Sequence, residues 1–83
     1  MTNVELTRIV RRFLNEEWYP YMEPAIPKDD VPVVTGDWRT DLILHHLNTE
    51  CGLDITLTRP VNVIESYEVS DEQKFMWFIL RWQ

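Results

Sequence analysis

Glycine is scarce in this chain. It occurs only at Gly36 and Gly52 among 83 residues, which excludes a glycine-rich loop that cradles phosphates. Cysteine is scarcer still. Cys51 stands alone, so no disulfide within the chain can staple a small fold, and a reducing compartment suits it. Long apolar runs are missing too: none approaches the ~20 residues of a membrane span. Charges interrupt the opening stretch MTNVELTRIVRRFLNEE every few residues, unlike a secretory signal. Basic residues are outnumbered, with 8 Lys and Arg against 14 Asp and Glu and a net charge of −6. That balance argues against direct binding to nucleic acid, where Lys and Arg supply the affinity. It favours solubility and basic partners. No membrane contact and no cofactor are expected, and the expected location is the cytoplasm.

What is present is a folding composition. Hydrophobic residues make up 45%, aromatics 12%, and there are four tryptophans. Disordered chains are poor in aromatics. The length suits one domain over residues 1–83. A domain this small buries only about 60% of the surface its unfolded chain exposes, so its core is limited.

The first periodic stretch predicts a helix over about 3–18. Leu6, Ile9, Val10, Phe13 and Leu14 share one face, and Arg8, Arg11 and Arg12 lie opposite. Thr2 followed three residues later by Glu5 fits a capping box. Residues 19–36 then carry Pro20, Pro24, Pro27 and Pro32. Proline fixes φ and removes a donor, which predicts an extended arm ending in a short edge strand near Val33 and Val34. A second helix is predicted over about 37–51, capped by Asp37 or Thr35 and stopped by Gly52. Its apolar residues fall on more than one side, which implies burial on more than one side.

After Gly52 the period becomes two. LDITLT alternates cleanly, VNVIESYEV follows, SDEQ reads as a turn and KFMWFILRW closes the chain. These predict three antiparallel strands over about 53–58, 61–69 and 74–82. The expected fold class is therefore α+β: two helices, linked by the proline-rich arm, packed on a three-stranded meander. In that arrangement the sheet is apolar on both faces. Ile64, Phe75, Trp77 and Ile79 fall on the face that the helices leave uncovered, and Tyr21 and Met22 of the arm extend it. These six are the candidate protein-interface residues.

Chemistry has few footholds. Asp41 and His45 are four residues apart on the second helix, and so are His46 and Glu50. The two pairs point about 100° apart, so they do not close on one ion. Cys51 lies on the apolar arc and reads as a small buried hydrophobe. No metal site, cofactor or catalytic group is expected. The pattern points to a small non-enzymatic interaction or accessory protein, of the kind viruses and mobile elements use. It would bind a protein partner, or its own copy as a homodimer, through the aromatic face. An alternative is an acidic decoy in the basic groove of a nucleic-acid-binding protein. A more distant one is an enzyme or metal site around Asp41 and His45.

Overall fold

The first helix, α1, spans Asn3–Phe13. Thr2 caps it, its hydroxyl oxygen accepting from the Glu5 N–H at 3.1 Å. Leu6, Ile9, Val10 and Phe13 are buried, as their helical spacing requires. The computed structural model describes residues 1–26, 32–58 and 63–83.

The chain does not leave the helical path at Trp18. Leu14–Met22 continues as a π-helix and Glu23–Ala25 as one 3-10 turn. The arm expected over 19–36 is therefore helical in its first third. Pro20 sits inside the π segment. A proline removes one donor and crowds the carbonyl four residues back in an α-helix. The wider π turn, in which the Glu23 N–H donates to the Trp18 carbonyl, relieves that crowding. Trp18 anchors the segment, being fully buried. Residues 27–31 of the expected arm lie outside the described residues. Val33 and Val34 form no strand. Their segment instead turns toward Asp41.

Helix α2 spans Trp38–Cys51, with Asp37 as N-cap and Gly52 in the left-handed conformation after its end. Leu42, Leu47 and Cys51 are buried, and Ile43 and Leu44 pack against the core.

Strands β1 (Leu53–Thr58) and β2 (Val63–Val69) form an antiparallel pair. Residues 61 and 62, expected to open the second strand, lie outside the described residues. Leu53 pairs with Val69 and Ile55 with Tyr67, but Leu57 pairs with Ile64, leaving Glu65 as an extra residue. This bulge shifts the alternation by one. Ile64 thereby joins Tyr67 on the core face, whereas strict alternation assigns them to opposite faces. The outer face carries Asp54, Thr56, Ser66 and Glu68, all exposed. It is polar, not the apolar second face expected.

The third expected strand is a helix. α3 spans Glu72–Trp82. Asp71 caps it, one carboxylate oxygen accepting from the N–H groups of Gln73 (3.1 Å) and Lys74 (3.2 Å). SDEQ is thus a helix start, not a hairpin turn. The described fold has three α-helices and a two-stranded sheet in the order α-α-β-β-α, in place of the three-stranded meander. Phe75, Phe78, Ile79 and Trp82 face the core, one stripe at i, i+3, i+4 and i+7.

Phe13 is the hub that joins the helices. Its ring lies 5.4 Å from Phe78, 5.6 Å from Trp82, 5.8 Å from His46 and 6.2 Å from Trp18. Aromatic pairs in this range add about 0.5–1.5 kcal/mol each beyond burial. α1 also covers the free edge of β2. The Ile64 N–H donates to the Thr7 hydroxyl oxygen at 3.2 Å, and the Asn3 side-chain amide donates to the Glu65 carbonyl at 2.7 Å. These two bonds satisfy that end of the β2 edge.

Candidate functional site

Turning the last element into a helix separates its apolar residues into two stripes. One enters the core. The other, Met76, Trp77 and Leu80, faces outward with 59%, 68% and 66% of the surface of each residue exposed. At about 100° per residue these three occupy one side of α3. A shallow groove of about 430 Å³ runs beside them, lined by Met1, Val69, Glu72, Phe75, Met76, Ile79 and Leu80. Its lining is almost wholly apolar. Tyr67, whose ring lies 6.4 Å from that of Phe75, donates its hydroxyl to the Met1 carbonyl at 2.9 Å. That bond holds the first residue at the groove's end.

The sequence-predicted interface residues do not form one surface. Ile64 is only 2% exposed and belongs to the core. Phe75 and Ile79 are half-buried, with one side on the core and the other in the groove. Trp77 stands outside. Tyr21 is exposed on the π segment, and Met22 packs against the core. Met76, Leu80 and Val69 are the residues that sequence reasoning missed. For Met76 and Leu80 the signal was the same i, i+4 spacing that identifies the helix.

A larger cleft, of about 590 Å³, opens between α1 and α2 over the sheet. Ile43, Ile55, Leu57 and Ile64 are among its apolar lining, and Arg11 and Arg39 stand at it. Arg39 is already engaged. It pairs with Glu23 at 2.8 Å and lies 5.8 Å from the centre of the Tyr19 ring. The cleft offers volume, and the Arg39 charge at it is already paired with Glu23.

His46 and Cys51 are held by packing, whereas His45 is exposed. His46 packs against both Phe13 and Trp18, its ring stacked on Phe13 at an interplanar angle of 8°. Burial lowers its pKa below the ordinary value, against the opposing charges of Glu50 and Glu17. The neutral ring is therefore favoured. Burial pushes the Cys51 thiol up to about 11, with Glu50 and Glu17 adding to the rise, so the nucleophilic thiolate is suppressed. Both Asp41 oxygens accept from the segment before α2. Oδ1 takes the Thr35 hydroxyl (2.7 Å) and N–H (2.8 Å), and Oδ2 takes the Val34 N–H (3.2 Å). The Thr35 hydroxyl is the main cause of its lowered pKa. The carboxylate is thus a latch for residues 34–35. Among the described residues, no three His, Cys, Asp or Glu side chains gather as metal ligands. Among them also, no helix is long and apolar enough to cross a membrane.

No protein-family model matches this chain, and comparison with curated proteins and with solved structures finds no similar chain.

Proposed function

We propose that this chain is a non-enzymatic protein-interaction module that docks through the outer side of α3. The observation that carries the reading is the contiguity of Met76, Trp77 and Leu80 on one exposed helix face. Single exposed apolar residues are ordinary, whereas a contiguous apolar face beside a groove marks a contact surface. Trp is enriched among residues that dominate binding energy. Covering side chains of this size contributes on the order of 1.5–3 kcal/mol each when burial is complete, before the costs of association. A cytoplasmic setting is compatible with the buried, unpaired Cys51.

The test is selection of binders from a random-peptide display library on the wild-type chain and on a Met76→Ser/Leu80→Ser variant. The reading expects binders that the variant no longer retains. Light scattering on a sizing column is run on both proteins, because a homodimer through this face would also satisfy it. A monomeric wild type with no variant-sensitive binder would refute it.

A further inference from the structure

We propose that the groove beside α3 receives a basic amphipathic helix from another protein. The proposal rests on the reading of α3 as a contact surface and names the occupant. The argument from shape comes first. α3 has 11 residues, so it offers a track about 16 Å long. A partner helix meets such a track with apolar residues at i, i+3, i+4 and i+7. An added strand is the other common mode of peptide capture. It needs a free row of backbone donors and acceptors, whereas the groove is walled mainly by helix α3, whose backbone bonds within itself. Met76 and Met1 are unbranched and adapt to a partner's side chains.

Charge then selects the partner. Glu72 lines the groove. Asp71 stands next to it at the same end of α3, and both acids are exposed. The two cations of α3 are turned elsewhere. Lys74 donates its ammonium to the Thr49 carbonyl at 2.8 Å, and Arg81 pairs with Glu17 at 3.1 Å. The chain as a whole carries −6. A second copy would bring the same charge and the same two carboxylates to the contact. A helix with Lys or Arg flanking its apolar stripe would complement both the stripe and the rim.

The experiment uses two synthetic helices with an identical leucine stripe, one flanked by lysines and one by glutamates. Each is titrated into the full chain at low and high salt, with calorimetry for affinity and amide chemical shifts for location. The lysine helix is expected to bind more tightly, to shift Val69, Met76 and Leu80, and to weaken as salt rises. Met76→Ala/Leu80→Ala should weaken it at least about tenfold. Both side chains are exposed, so the variant's amide spectrum should show the fold retained. Glu72→Gln should weaken it and flatten the salt dependence, while Glu16→Gln/Glu50→Gln should not. Equal binding of the glutamate helix, equal loss from the Glu16/Glu50 pair, or no shifts in the groove would overturn the proposal. A wild-type dimer broken by the Met76/Leu80 variant would also overturn it, yet leave α3 as the contact surface. Failure of the display selection is the separate result that removes that surface.

Discussion

Gly52→Ala should be among the most damaging small substitutions in this chain. Gly52 joins three elements. Its N–H donates to the Leu47 carbonyl as the cap of α2, β1 begins at the next residue, and its carbonyl accepts from Ser70 (2.8 Å) and Asp71 (3.3 Å). Its φ is +62°, a conformation that costs a residue with a Cβ roughly 1–2 kcal/mol. Space forbids the Cβ as well. It would lie 2.8 Å from the Asp71 Cβ and closer still to the Asp71 carbonyl oxygen. Asp71 must therefore shift, and Asp71 is the cap of α3. Loss of a cap costs about 1 kcal/mol, and each displaced hydrogen bond a similar amount. The total is on the order of 3–5 kcal/mol. Domains of this size hold about 0.05–0.15 kcal/mol per residue, so that loss removes a large part of the stability. Urea unfolding followed by tryptophan fluorescence reads it directly. With a slope near ~1 kcal/mol per molar, the midpoint should fall by ~3 M or the variant should be unfolded at the start. Gly36→Ala is the control. Gly36 has φ +88°, but nothing lies within 4 Å of an added Cβ. Only the backbone term of about 1–2 kcal/mol applies there. Equal losses in the two variants would refute the clash with Asp71.

Two further outcomes follow from the buried groups. Asp41→Asn should lower the melting temperature by weakening the latch on Val34 and Thr35. Because the folded pKa lies below the ordinary 3.8, the carboxylate's contribution is full above that value and is lost as pH falls through the folded pKa. The gap between wild type and Asp41→Asn should therefore narrow below about pH 4, and a gap constant from neutral pH into that range would contradict the assignment. Cys51 should react with a thiol reagent far more slowly in the native chain than in urea. Its burial and its pKa near 11 both act in that direction, and comparable rates in the two states would place the thiol at the surface.

Much of the fold follows from local signals. The apolar stripe from Leu6 to Phe13, the Thr2 cap, the Asp37 cap and the left-handed Gly52 all act within a few residues of themselves, and each is legible in the sequence. The alternation of LDITLT is equally local. The errors arise where two local rules compete. KFMWFILRW is apolar at nearly every position, so it satisfies a period of two and a period of 3.6 alike. Its β-branched and aromatic content favours strand, but Asp71 caps the following N–H groups and Phe13 supplies an aromatic site for Phe78 and Trp82. Tertiary packing decides between them. Pro20 misleads in the opposite direction. It ends an ideal α-helix, but the π turn lets the chain continue past it to Met22. The bulge at Glu65 has no sequence mark of its own, yet it determines that Ile64 is core rather than surface.

The same distinction bears on the candidate site. Read as a strand, the last segment has two apolar faces and needs two covers. Read as a helix, it has a core stripe that the fold requires and an outer stripe that the fold does not. Phe78 packs on Phe13 and is buried, so its truncation would leave a cavity costing about 3–5 kcal/mol. Replacing Met76 or Leu80 by a lysine or glutamate would disturb almost no intramolecular contact, and surface changes of that kind stay within about 0.5 kcal/mol. Leu and Met are good helix formers, but so are Lys, Glu and Gln, so propensity does not call for apolar residues there. Folding therefore explains Phe78 and leaves Met76, Trp77 and Leu80 unexplained. An apolar stripe that is indifferent to stability and adverse to solubility is what the proposed contact surface would account for. On the same proposal, the carboxylates of Asp71 and Glu72 would set the sign of the partner's charge.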